Sequence, residues 1–513
     1  MRPVRLLSGI LTVGGWTMMS RVLGFVRDVM IANFLGPGVL MDAFVAAFRL
    51  PNMFRRFFAE GAFNAAFVPM FSKRLEADED PMGFASLALS GLGLVLLTLT
   101  GLSMVFMPAL VWVTAEGFAG DARFGITVDF GRIVFPYILF ISLAALFSGM
   151  LNAAGRFSAA AAAPVLLNVL LIAAMGAAAY LGGAVAQALV WSIPVAGVAQ
   201  LALVWFAARR AGLYLRPVRP RWTPEMAQLV RIAIPAALAG GVMQVNLVVG
   251  QLVASQYDKA VSWLYSADRL YQLPLGVVGI AVGIVLLPDL SRRLKAGDDT
   301  VARMALSRAG EVALALTVPC AVALVVIPLP LVAVLFERGA FGADDSAATA
   351  LAVAIYGLGL PAFVLQKILQ PIFFAREDTR SPFRYALVSM VVNAVLAVGL
   401  AFAVGWAAAA LATTVAAWVM VWQLVRGARS FGEVARFDAQ FRRRLWRIVL
   451  ASALMGGVIW ALAVMLGPIL SIPGWRWLAL LVLVGLGVLA YGLLGQVLGA
   501  FRLQEIRQRL RRG

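Results

Sequence analysis

The chain contains no histidine and a single cysteine, Cys320, in 513 residues. Without imidazole there is no Ser–His nucleophile pair and no histidine-ligated metal. One thiol can neither close a disulfide within the chain nor build a cysteine metal cluster, so Cys320, in an apolar stretch beside Pro319, reads as packing. Charge is also scarce: 13% of residues are Asp, Glu, Lys or Arg, about half the usual share in soluble domains. The short alternating segments of a membrane β-barrel are missing too, and no polar stretch is long enough for a sizeable soluble domain.

What fills the chain instead is apolar sequence, at 62% hydrophobic residues. Runs of membrane-spanning length recur from end to end. They fall near 10–35, 39–71, 84–114, 126–152, 158–181, 184–208, 226–254, 260–290, 309–336, 346–375, 383–404, 406–425, 446–467 and 477–500. The expectation is an all-α polytopic membrane protein of about 14 transmembrane helices. The first run carries Arg21 and Arg27, which the core of a cleaved signal peptide would exclude.

The net charge of +18 is explained by topology rather than by nucleic acid. With the N-terminus placed inside, Arg123, Lys259, Arg338 and Arg476 are the 4 basic residues of the outer loops, the inner loops carry 30, and the remaining 9 of the 43 lie within the runs. Lys and Arg mark cytoplasmic loops and are drawn to anionic lipid head groups. Both termini are therefore expected in the cytoplasm, with membrane lipids as partners and no nucleic acid.

An internal repeat organises the spans. Pro69-Met70-Phe71-Ser72-Lys73-Arg74-Leu75 closes the second run, and Pro288-Asp289-Leu290-Ser291-Arg292-Arg293-Leu294 closes the eighth. At the same offset Arg49 falls on Asp268, next to Arg269, and both runs carry a proline, Pro51 and Pro274. Two six-helix lobes around a central cavity, residues 1–221 and 222–430, are the simplest account. Residues 431–513 then add two further helices and a basic tail. Transporters built from repeats hold the substrate at the repeat interface and rock one part against the other.

Arginines interrupt this apolar sequence where a bilayer disfavours them. Arg21, Arg27, Arg49, Arg55 and Arg56 lie in the first two runs, and Arg269 lies in the eighth. A charge at the centre of a membrane helix costs about 2.5–3.5 kcal/mol even on lenient scales. Such groups persist by snorkelling to an interface, by pairing with a carboxylate, or by facing water. Arg27 with Asp28, Arg56 with Glu60 and Arg269 with Asp268 are candidate pairs, and Gly24 and Gly36 are places for the first helix to bend or stop. Asp42 and Asp289 sit near span ends, which leaves the midplane positive. A positive hydrated cavity selects an anion, and the planar guanidinium fork favours phosphate or carboxylate.

These residues also carry a resemblance. The stretch Ser20-Arg21-Val22-Leu23-Gly24-Phe25-Val26-Arg27-Asp28 resembles the opening signature of the MurJ (MviN) lipid II flippases. So do Asp42-Ala43-Phe44, Leu50-Pro51-Asn52, Arg55-Arg56, Phe58-Ala59-Glu60-Gly61-Ala62-Phe63 and Phe67-Val68-Pro69, and later Ala267-Asp268-Arg269-Leu270 and Leu286-Leu287-Pro288. The resemblance implies the fold of the multidrug/oligosaccharidyl-lipid/polysaccharide exporter superfamily. It also implies a flippase, not an enzyme, that moves the undecaprenyl-diphosphate-linked peptidoglycan precursor from the inner to the outer leaflet. By resemblance, Arg21, Arg27, Arg55 and Arg269 bind the diphosphate head group, while Asp28, Asp42, Glu60 and Asp268 gate or support them. No cofactor or metal is implied. The expected setting is the bacterial cytoplasmic membrane, as a monomer loosely associated with cell wall synthesis enzymes. Some family members bind sodium through acidic residues of the seventh and eleventh spans. Those spans offer Asn246 and Asn393 here, so coupling to membrane potential or protons is expected.

Two rivals are weaker. A cation-coupled drug exporter of the same superfamily would use a midplane carboxylate in a net-negative pocket, against the arginine excess. A membrane enzyme acting on polyprenyl phosphates would need a carboxylate-rich metal motif. The run Glu76, Asp78, Glu79, Asp80 is the one candidate, and it reads more simply as a solvated loop.

Overall fold

The computed structural model describes residues 3–56, 62–276 and 299–501. Glu60, the Pro288–Leu294 copy of the repeat and the end of the basic tail lie outside the described residues. Within them the chain is helical, with no strand. In hydrocarbon every backbone N–H and C=O must bond within its own segment, and a continuous apolar run can satisfy that only as a helix.

The elements are α1 (Pro3–Leu35), α2 (Val39–Arg55), α3 (Ala62–Ala77), α4 (Pro81–Val105), α5 (Met107–Thr114), α6 (Ala122–Val134), α7 (Tyr137–Ala153), α8 (Ser158–Tyr180), α9 (Val185–Arg210) and α10 (Pro224–Ser255). They continue with α11 (260–276 as described), α12 (Asp299–Val326), α13 (Pro328–Phe336), α14 (Ala343–Phe374), α15 (Arg380–Val404), α16 (Ala408–Ala428), α17 (Ala439–Met465), α18 (Gly467–Leu470) and α19 (Arg476–Val497).

Prolines divide several of the expected runs. The run 84–114 breaks at Phe106, two residues before Pro108, into α4 and α5. The run 309–336 breaks at Ile327, before Pro328, into α12 and α13. Proline lacks an N–H and crowds the residue before it, so the helix restarts with Pro in its first turn. Glycine ends others: α1 stops at Gly36 (φ 62), and Gly405 (φ 61) separates α15 from α16. Among the described residues nine stretches are long and apolar enough to cross a membrane, and one of them, Arg380–Gly432, contains both α15 and α16. This is a multi-span, all-helical membrane architecture.

By its contacts the chain forms two compact units, Met1–Ser262 and Trp263–Gly513. In the first, an aromatic ladder runs along α3, where Phe63, Phe67 and Phe71 stack at 5.3 and 5.6 Å and Phe84 of α4 stacks on Phe67 at 5.7 Å. Residues four apart share a helix face, so this spacing builds the stack from sequence alone. The first copy of the repeat motif ends on Arg74, which lies 3.4 Å from Glu225 at the start of α10 and 5.0 Å above the Phe84 ring. Glycines permit close approach, as bilayer packing demands. A Cβ at Gly197 would stand 2.8 Å from the Tyr137 ring, and one at Gly149 would stand 2.9 Å from Val68.

The second unit has two cores. Val364, Ile368, Leu369, Ile372 and Phe373 of α14 pack with Met420 and Leu424 of α16. Ile327 and Val334 pack with Met455 and Ile459 of α17 and Leu480 and Leu483 of α19. The last two long helices are thereby packed onto α12 and α13.

Candidate functional site

Arg21 lies midway along α1, half-buried. Its Nε is buried and meets no acceptor among the described residues. Arg27, less than two turns on, is fully engaged. Its Nε and Nη2 donate to Asp28 Oδ1 at 3.0 and 2.8 Å, and its Nη1 donates to Asn168 Oδ1 of α8 at 2.8 Å. Asn168 Nδ2 in turn donates to the Ser20 carbonyl at 2.9 Å. Gly24 faces Asn168, where a Cβ would stand 3.5 Å from Asn168 Nδ2 in ordinary contact, so α8 lies against this turn of α1. The helix does not stop at Gly24 but runs on to Leu35, so of the two glycines only Gly36 ends it.

Arg55 is the last residue of α2, half-buried with its Nε buried. Arg56 is exposed beyond it, and Arg49 is half-buried with Nη1 3.5 Å from the Leu247 carbonyl of α10. In the second unit Arg269 and Asp268 of α11 pair at 3.5 Å between Nη2 and Oδ2. The Arg269 guanidinium lies 4.4 Å from the centroid of Tyr265, and Asp268 also accepts from Gln272 Nε2. The ring of Tyr271 next to it stands 4.9 Å from Tyr356 and 5.4 Å from Phe363. Two of the candidate charge pairs, Arg27–Asp28 and Arg269–Asp268, are therefore formed, and Arg21 stands differently from both.

Asp42 near the start of α2 is fully buried. Its Oδ1 accepts from Ser262 N at 2.9 Å and from Ser262 Oγ, and its Oδ2 accepts from Lys259 N at 3.1 Å. Those amides flank the start of α11, whose first N–H groups have no partner within the helix, so Asp42 caps α11 from another segment. A fourth group completes the cluster, and nothing in the sequence singled it out. Arg123, counted above as one of four outer-loop cations, is 7% exposed and 3.5 Å from Asp42 Oδ2. It also meets Asp121 at 2.6 Å and Asp258 at 3.1 Å. Burial raises the Asp121 carboxyl, but the bonds and charge of Arg123 outweigh it and hold the group below the usual carboxylate range. In the acidic run read as a solvated loop, Asp80 Oδ1 caps α4 by accepting from Gly83 N at 3.0 Å. Among the described residues no group of three or more His, Cys, Asp or Glu is placed to hold a metal.

Long apolar helices that carry half-buried arginines define a multi-span helical membrane protein. The comparisons make this specific. The family model described as Lipid II flippase MurJ matches residues 31–472, and the chain belongs to that family. It is 44% identical to the probable lipid II flippase MurJ of Rhizobium tropici, over 99% of this chain and 97% of the relative. It is 50% identical to that of Rhizobium meliloti (strain 1021), over 76% and 74%. Its fold is similar to that of a lipid II flippase MurJ solved in an inward closed conformation, with TM-score 0.79 and 24% identity over 95% and 98%. It is also similar to an inward-facing multidrug resistance MATE family transporter of the MOP superfamily, with TM-score 0.66 and 15% identity over 84% and 99%.

Proposed function

We propose that this protein flips lipid II, the undecaprenyl-diphosphate-linked peptidoglycan precursor, from the inner to the outer leaflet of the bacterial cytoplasmic membrane by alternating access. Family membership over most of the chain supports the activity. The observation that carries the chemistry is Arg21, a charge inside a 33-residue helix whose buried Nε has no acceptor among the described residues. A buried N–H of a charged group with no acceptor costs free energy that a ligand supplying the acceptor would recover. A diphosphate does so with paired oxygens that match the guanidinium fork.

In this reading Arg21, Arg55 and Arg269 hold the diphosphate, and Arg27 supports them from its bonds to Asp28 and Asn168. Asp268 keeps Arg269 oriented, Glu60 supports the same face, and Asp42 gates. The chain crosses the membrane fourteen times, in lobes 1–221 and 222–430 with two further helices in 431–513, and both termini are cytoplasmic. It works as a monomer without cofactor or metal, loosely associated with cell wall synthesis enzymes. Moving the anionic head group outward is helped by an inside-negative potential, by about 2.3 kcal/mol per charge per 100 mV. Membrane potential or protons, rather than sodium, drive the cycle.

The test is flipping of fluorescent lipid II by purified protein in liposomes. Arg21→Ala and Arg269→Ala are expected to abolish it, and Arg21→Lys to retain part. Wild-type flipping by the double variant at equal incorporation would overturn the assignment.

A further inference from the structure

Arg123 has no role in the reading above, yet it gathers contacts from several segments of the first unit. Its guanidinium meets Asp121, Asp258 and Asp42 at 2.6, 3.1 and 3.5 Å. Nη1 donates to the Tyr257 carbonyl at 3.3 Å, and the Phe118 ring centroid lies 4.6 Å from the guanidinium carbon. These partners come from three separate stretches: the loop before α6, the start of α2 and the turn between α10 and α11. One cation is thus shared by three carboxylates.

Two further features show that this turn is held rather than merely touched. Gly117 N donates to Ser255 Oγ at 3.1 Å, and a Cβ on Gly117 would stand 2.4 Å from the backbone carbon of Ser255. The loop therefore rests directly on the end of α10, at a distance open only to glycine. Lys259 adopts φ 63, a left-handed conformation that costs a non-glycine residue about 1–2 kcal/mol. Asp42, itself beside Arg123, holds Lys259 there through its N–H.

Exposure differs sharply across the cluster: the Asp42 side chain is 0% exposed, Asp121 41% and Asp258 90%. The two outer carboxylates stay in contact with water when their pairs part, so only the Arg123 guanidinium must find new partners. The inner half, buried and hydrogen-bonded, fixes the geometry when closed. Strong inside and weak at its rim, the cluster has the balance of a contact that closes and releases.

We propose that Arg123 is the latch of this face of the transporter, a positioning residue that clasps the α10–α11 turn to the loop before α6 in the closed state and lets it go when the face opens. This rests on the alternating-access reading and concerns how the cycle is gated, not what is carried.

The test is cysteine labelling in detergent without lipid substrate, so its outcome does not depend on lipid II being the cargo. In a Cys320→Ser background, Ala260→Cys places a thiol at a fully buried position at the start of α11. Arg123→Gln is expected to raise its modification rate by a water-soluble maleimide about tenfold, as loss of a charge-assisted buried contact would. Arg123→Lys, which keeps the charge but not the fork, falls between. Ala196→Cys, equally buried in α9, is expected to label at an unchanged rate. No change at position 260 overturns the proposal. An equal rise at both positions also overturns it, since Arg123 would then hold the fold rather than a latch.

Discussion

Removing the Glu311 carboxylate should loosen α17 from α12 without unfolding either unit. Glu311 is 7% exposed and bridges two arginines: Arg308 on its own helix, and Arg444 of α17 at 3.1 Å. Arg308 also reaches Asp438, whose Oδ1 caps α17 through Phe441 N at 2.6 Å and whose N–H donates to Ser307 Oγ at 3.0 Å. Deleting one partner of a buried ion pair costs about 3–5 kcal/mol, because the other charge stays behind. Here Arg308 and Arg444 remain 22% and 18% exposed, and Arg308 keeps Asp438. Water and Asp438 therefore recover part of the loss, leaving about 2–3 kcal/mol for Glu311→Gln. For a unit of this size, about 2–4 °C of Tm per kcal/mol, that is a fall of roughly 4–12 °C.

The local readout is sharper than the melt. Arg442, Arg443 and Arg444 are consecutive trypsin sites in the first turns of α17. The network holds those turns helical, and a protease cleaves only the opened segment. Glu311→Gln should raise cleavage at this cluster by roughly 30-fold or more, in line with the free-energy change, while Glu311→Asp should restore part of the protection. An unchanged Tm together with an unchanged tryptic pattern would refute the idea that this network fastens α17.

Two further outcomes are expected. Asp378 accepts from Ser381 through its hydroxyl and its N–H, and these bonds hold the carboxyl below its ordinary 3.8. A depressed carboxylate stabilises above its unfolded-state value, so a stability increment present near neutral pH should fade as pH falls below about 3.8. Melts across pH 6 to 2 should show that step in the parent and lack it in Asp378→Asn, and identical curves would count against the Asp378–Ser381 bonds as its source. A Cβ at Gly427 would stand 2.1 Å from the Tyr385 hydroxyl, so Gly427→Ala should destabilise by about 1–3 kcal/mol. That cost should shrink in a Tyr385→Ala background, and simple additivity of the two changes in thermal melts would place the strain elsewhere.

The helices could be read from the sequence because one signal, a continuous apolar run, decides structure in a bilayer almost by itself. Its ends are less well determined. The expected run 309–336 contains two helices because Pro328 restarts the chain, and the same happens at Pro108. A hydropathy average is blind to both breaks, since a proline inside an apolar window barely alters the mean but removes a backbone donor. The pairs Arg27–Asp28 and Arg269–Asp268 were visible because their partners are sequence neighbours. The reach of Arg27 to Asn168 was not visible: it needs α8 against Gly24, and no local pattern encodes that contact.

Arg123 shows the same limit more severely. Counted by position it is an ordinary outer-loop cation, and its side-chain partners Asp42 and Asp258 lie on segments far from it in the chain. The one local hint is Asp121, two residues away, which pairs with it by short range alone. Charge placement along a membrane protein reports mainly which side of the bilayer a loop occupies. How a charge is spent once the helices have packed depends on desolvation, and desolvation is a property of the folded neighbourhood. A sparsely charged chain makes this inversion informative: with so few ionisable residues, each buried cluster is either a partnership that fixes packing, as at Glu311, or one that a conformational change must break. The rim of the Arg123 cluster lies open to water and its centre does not, which places it with the second kind.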